Sequence, residues 1–160
     1  MAGAANTQFA VAVHVLSYLG GPGAGRPVPS EELSDSTNTN PVYVRRVLGP
    51  LRTAGLLRSR PGPGGGWELS RDPASITLAE VWQLVAGDEQ VLSIHASNPS
   101  CPVGRSMQEE LAAVGASLHA AIARELEATT VRDLAERAER SLATSAVDQR
   151  SAATPSAERR

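Results

Sequence analysis

A mainly helical fold with one small β-hairpin is what this sequence predicts, and three observations predict it. Apolar residues recur at helical spacing near the start (Phe9, Val13, Leu16) and again far downstream (Met107, Leu111, Val114, Leu118, Ile122, Leu126). The glycine- and proline-rich run from Pro61 to Gly66 lies between Leu56-Leu57 and Trp67-Glu68-Leu69, so a tight tip has strand-forming residues on both sides. Helix-starting residues stand before several of the apolar runs, above all Asn40 followed by Pro41.

In chain order, Thr7 is placed to cap a first helix, which Gly20-Gly21-Pro22-Gly23 ends. Arg26 to Pro29 reads as a short extended lead-in. Ser30 then caps a brief second helix carrying Glu31, Glu32 and Leu33, and Ser36 to Thr39 forms the turn after it. Asn40 caps a third helix with Pro41 at its first position, where a missing N–H removes nothing. Val44, Val47, Leu48 and Leu51 share one stripe of that helix, while Tyr43, Arg45 and Arg46 lie largely off it. Gly55 suits its C-terminus. The hairpin follows at once. A basic helix and then a basic hairpin is the layout of a winged helix-turn-helix, in which the helix enters a DNA groove and the hairpin rides on the phosphates beside it.

Overall charge argues against DNA, at −2, but its distribution argues for it. From Pro41 to Arg71 there are six arginines and one acid, Glu68, a local charge of +5; the remainder carries nine arginines and sixteen acids, or −7. Phosphate attraction depends on the local surface. The chain has no lysine, and arginine's fork grips phosphate or guanine bidentately. Asn40, Tyr43, Arg45 and Arg46 are therefore the expected contacts from the helix. Arg58, Ser59, Arg60 and the triple glycine Gly64, Gly65 and Gly66 are those from the wing, the glycines letting backbone N–H groups approach an anion.

The downstream stripe of Met107, Leu111, Val114, Leu118 and Ile122 describes one amphipathic helix of about six turns. It packs either on its own domain or against its copy in a second subunit, with Gly115 and neighbouring alanines permitting close approach. Thr130-Val131-Arg132-Asp133 resembles a capping box opening a final helix to about Leu142. Ala143 to Arg160, rich in Ser, Ala and Thr, reads as a disordered tail. The expected organisation is a winged domain over 7–87, a linker and dimerisation helices over 88–142, and the tail over 143–160.

At this point a family resemblance is visible. Asn-Pro-Val-Tyr-Val-Arg-Arg-Val-Leu-Gly-Pro-Leu-Arg from Asn40, Ala-Gly-Leu-Leu from Ala54 and Gly-Pro-Gly-Gly-Gly-Trp from Gly62 resemble the Rrf family of bacterial winged-helix transcription regulators. So do Ile76-Thr77-Leu78 before a fourth helix and Cys101-Pro102-Val103 before a long one, and the likeness spans roughly Thr7 to Leu142. It implies a homodimer that binds palindromic double-stranded DNA, commonly as a repressor. Well-known members hold an iron–sulfur cluster on three closely spaced cysteines after the fourth helix. This chain has Cys101 alone there, with His95 nearby, so it is similar to the cluster-free branch and no cofactor is expected. Members also often place arginine directly before the wing glycine. Here Pro61 holds that place and Arg60 precedes it, so Arg60 either reaches a minor groove from a shifted position or binds phosphate.

Cys101 has two readings. It is a small buried hydrophobe, or it is a thiol at a helix N-terminus that senses oxidants, as the family's thiol-based sensors do. In the first case the effector is a small ligand. A cysteine-dependent redox enzyme and a winged domain that binds only protein are the competing functions; the basic asymmetry disfavours the latter, and no catalytic motif supports the former. His14, His95 and His119 lack metal-ligand spacing. With no apolar run long enough to span a bilayer and no signal peptide, a cytoplasmic protein is expected, and a single cysteine agrees with a reducing compartment.

Overall fold

Val44, Val47, Leu48 and Leu51 do form one face, and the rest of the domain is built over it. The computed structural model describes residues 2–87, 92, 96–98 and 100–152, with only the backbone given for 2–6 and 145–152. Its helices are α1 (Ala2–Gly20), α2 (Ser30–Thr37), α3 (Pro41–Thr53), α4 (Leu78–Ala86), α5 (Pro102–Glu127) and α6 (Val131–Ala152), with β1 (Leu57–Arg60) and β2 (Gly66–Leu69) between α3 and α4. The α3 stripe, all 3% exposed or less, packs with Val15 and Leu16 of α1, Leu33 of α2, Leu56, Trp67 and Val81 into one core. Each such side chain contributes about 1.5–3 kcal/mol on burial.

The strands pair antiparallel with Leu57 opposite Leu69 and Arg60 opposite Gly66. The predicted lead-in is present as Val28, which exchanges hydrogen bonds with Trp67 at 3.0 and 2.8 Å and so adds a one-residue bridge to the hairpin. Asn40 caps α3 by accepting the Tyr43 N–H at 2.8 Å. Thr130 and Asp133 form the reciprocal capping box of α6: Thr130 N–H donates to Asp133 at 2.8 Å and Asp133 N–H to Thr130 at 3.2 Å.

Four local expectations are corrected. The first helix starts at Ala2 rather than after a Thr7 cap, because the alanines before Thr7 favour continuation of the helix. Ser30 is the first residue of α2, not its cap; Pro29 holds that place, and the Ser30 hydroxyl instead accepts the Trp67 indole N–H at 3.0 Å. The turn after α2 is shorter than Ser36–Thr39. Helix continues through Thr37 and closes on Asn38, whose left-handed φ of 49° ends it. Finally, α6 extends to Ala152 rather than stopping near Leu142. The stretch is poor in apolar residues, but no proline or glycine interrupts it before Pro155 and its alanines carry high helix propensity. Residues 153–160 lie outside the described residues, as does His95.

The division at residue 87 does not divide the core. Val131 and Ala135 of α6 are buried, Leu78 N–H donates to Thr129 at 2.9 Å, and Val131 N–H donates to Ile76 at 3.0 Å. Arg132 adds an ion pair to Asp72 at 2.7 Å. The last helix thus returns to the first and to Pro73–Ser75 just before the fourth.

Candidate nucleic-acid interface

The turn between α2 and α3 is tight, so α3 leaves it with a fixed direction, Val44 entering the core and the opposite side of its first turns left exposed. On that exposed side stand Val42, Arg45 and Arg46. Arg46 lies over the Tyr43 ring, its guanidinium carbon 5.0 Å from the ring centre, a cation–π contact that limits where the fork points. Tyr43 itself is half-buried against the core and serves first as that platform. Asn40 spends its side-chain oxygen on the cap, leaving its amide NH2 at the positively polarised end of the helix.

Between α3 and the wing runs a groove of about 460 Å3 whose walls include Arg45, Arg52, Ser59, Arg60 and Gly62. The structure therefore brings most of the anticipated residues together, from two elements, around one concavity. Arg52 was missed in the sequence. It sits seven residues after Arg45, hence on the same helical face, and its guanidinium donates to the Ser59 hydroxyl at 3.4 Å. Val42 was missed as well: at 68% exposure it is an apolar side chain facing solvent on the first turn of α3.

Acids temper the arginines. Glu68 on β2 stands directly opposite Arg58 and accepts its Nε–H at 2.9 Å, while Arg60 lies 3.8 Å away. Glu31 comes within 3.8 Å of Arg45. Glu68 is already counted in the +5 of this stretch, and Glu31, from outside it, offsets a further part at Arg45.

The wing glycines divide. A Cβ on Gly65 would collide with the Arg60 and Gly62 carbonyls, and one on Gly66 with the Val28 backbone. These two glycines answer to contacts within the chain, whatever an anion requires. Gly64, at φ 73°, faces open space.

Cys101 caps α5, its sulfur accepting the Gly104 N–H at 3.4 Å, and is half-buried. Of the α5 stripe, Met107, Leu111, Val114 and Leu118 are exposed by 46%, 38%, 47% and 40%. Ile122 departs from that set: with Leu126 it packs on Trp82 of α4, inside the same chain. The stripe was right in pitch, but its last turns belong to the domain's own core.

A helix-turn-helix whose second helix and adjoining hairpin turn arginines into one groove is the architecture of a winged DNA-binding regulator. The chain belongs to the Rrf2 family, described as iron-dependent transcriptional regulators, whose profile matches residues 5–137. It is similar to YwnA of Bacillus subtilis, named for a helix-turn-helix transcriptional regulator, with 38% identity over 81% of this chain and 95% of that one. A crystal structure of a protein described only as DNA binding is 38% identical, covering 79% of this chain and 97% of its own, with a TM-score of 0.61. CymR, called the global cysteine regulator of B. subtilis, is 22% identical over 81% of this chain and 94% of its own, with a TM-score of 0.58, and supports the fold alone. These relatives are regulators of transcription rather than enzymes. An iron site of the cluster type does not fit the donors described. Cys101 is the chain's one thiol, and among the described residues no three His, Cys, Asp or Glu side chains converge. No helix among them is long and apolar enough to cross a membrane.

Proposed function

We propose that this protein is a homodimeric repressor that binds a palindromic operator, with α3 of each subunit in the major groove and the wing on the flanking backbone. The observation that carries this reading is the groove shared by α3 and the wing, with Arg45 and Arg52 on one wall and Arg60 on the other. Arg45, Arg46 and Arg52 grip phosphate or guanine; Val42 meets a thymine methyl; Asn40 lies near phosphate at the helix start. Arg58, Ser59, Arg60 and Gly64 track the backbone.

Dimerisation follows from α5. Four large apolar side chains from Met107 to Leu118 face solvent on one stripe, and such a surface calls for a partner. A second copy supplies a matching stripe and sets the two α3 helices about one DNA turn apart. Cys101 begins that helix, so an adduct on its sulfur would remove the cap at the joint between stripe and winged domain.

The deciding experiment is selection of genomic DNA fragments on the purified chain, with and without mild peroxide. A recovered inverted repeat with half-sites about one turn apart supports the proposal. Recovery of unrelated sequences in both arms overturns it.

A further inference from the structure

Apart from the α3 groove, a cavity of about 510 Å3 opens between α1, the end of α2 and α6. Its lining is mainly apolar, with Leu134, Ala135, Ala138 and Leu142 of α6 and Tyr18 of α1 among its walls. Three features distinguish it from a packing defect. The hydroxyl of Ser17 in its wall is shielded from solvent and has no hydrogen-bond partner, a state that costs about 1–3 kcal/mol until something pairs with it. The Tyr18 ring is held in place by its hydroxyl, which donates to Glu32 at 2.7 Å. Glu139 brings a carboxylate to the cavity that makes no ion pair among the described residues, while the neighbouring Arg140 is taken by Glu136 at 3.7 Å. An apolar pocket of this size with a few converging polar groups is what small-molecule sites look like.

We propose that this cavity binds a small apolar cation of the arylalkylamine type. The apolar body packs on Leu134, Ala138 and Leu142, the charge lies between Glu139 and the face of Tyr18, and a small movement of the wall brings the unpaired Ser17 hydroxyl to an N–H of the ammonium. Anions are refused by the same carboxylate. The site also reaches the DNA-reading unit. His14, in the cavity wall, shares a 3.0 Å hydrogen bond with Ser36 in the last turn of α2, two residues before the Asn38 turn. A ligand that shifts His14 therefore displaces the end of α2. This coupling rests on the DNA-binding function proposed above; the binding itself does not.

The test titrates the full chain with three probes sharing one body: 2-phenylethylammonium, 2-phenylethanol and phenylacetate. Binding is followed by the NMR signals of Tyr18, His14 and the backbone amides from Ser36 to Asn38. The ammonium should bind best, about threefold better than the alcohol, the size of one exposed ion pair, and phenylacetate worst. Glu139→Gln should abolish the difference between ammonium and alcohol. Ala138→Phe, at an exposed position that leaves the core untouched, should fill the cavity and remove binding of all three. Equal binding of the three probes overturns the proposal, as does a titration unaffected by Ala138→Phe. So does a parent chain that binds none of them while Ala138→Phe changes its association state, which would assign the cavity to a second copy. If the ammonium binds and the Ser36 to Asn38 amides stay still, the coupling is wrong, and DNA binding by α3 stands untouched.

Discussion

Replacing Glu68 by glutamine should make this protein bind DNA more tightly at low salt and less selectively. Glu68 is only 13% exposed and holds Arg58 at 2.9 Å and Arg60 at 3.8 Å, both of which are more than 60% exposed. On the reading proposed above each arginine meets a phosphate, but each is shared with an internal anion. Glutamine keeps the shape and one acceptor and removes the charge. Two effects compete. The directly opposed Arg58–Glu68 pair contributes about 0.2–1 kcal/mol to the hairpin, and its loss loosens the wing slightly. Against that, each arginine freed for phosphate adds about 0.9 to the log–log slope of affinity against salt. One new contact gives an extra gain of about eightfold for every tenfold drop in salt, well above what the hairpin loses. Fluorescence anisotropy across a tenfold salt range, with an operator duplex and a scrambled one, reads both quantities. The ratio between the duplexes should fall, because phosphate contacts carry no sequence information. Parallel salt plots for parent and variant would refute the reasoning: either the wing does not ride on the backbone or Glu68 does not restrain it.

Other expectations concern distinct parts of the molecule. Arg45→Ala with Arg46→Ala should flatten the salt slope by up to about 1.8 and cut affinity, checked in the same assay with circular dichroism to confirm folding. Leu118→Glu should give monomers by sedimentation and lose operator affinity, since the charge falls on the exposed stripe; an unchanged dimer would move the interface elsewhere. Mild peroxide should lower operator affinity of the parent and leave Cys101→Ser unaffected, with intact mass reporting the adduct; equal responses would make Cys101 structural. Asp133 is held below the ordinary aspartate range by the Thr130 N–H and then its hydroxyl. Its contribution is present above the unfolded pKa and lost as pH falls through the lower folded value. Asp133→Asn should accordingly show a flatter acid limb in a thermal-melt series.

What the sequence disclosed and what it withheld divide along one physical line. Asn40 with Pro41, the α3 stripe, the hairpin and the Thr130–Asp133 box are signals within a few residues of their effects, and all four appear as expected. Ser30 did not. Its partner, Trp67, lies 37 residues away, and a serine before a short helix looks the same whether it caps or receives an indole. Ile122 fits the stripe by spacing, yet Trp82 claims it. Periodicity shows that a face is apolar, not what covers it. Arg52 was overlooked because it lies near the end of α3, far along the chain from Arg45 but on the same face. Gly65 and Gly66 looked like concessions to a ligand, and the close approach of Arg60 and Val28 was invisible from their neighbours in sequence. The cavity between α1 and α6 had no local signature, since it exists only once the last helix returns to the first.

The seam joining Trp67, Val28 and Ser30 has a consequence for how such a regulator changes its target over generations. Trp67 is stitched to Val28 by two backbone bonds and to Ser30 by its indole, and Gly66 has no room for a side chain against Val28. Mutational drift at Gly66 and Trp67 is therefore nearly closed. What stays open is the outgoing edge, Arg58 to Arg60, with Pro61 and Pro63 at the tip, all of it solvent-facing, while Gly62 and Gly64 are kept by their positive φ. New operators are reached by exchanging side chains on a gauge of constant span, not by bending the gauge, so lineages that diverge in preferred bases should retain the same distance between the stretches they touch.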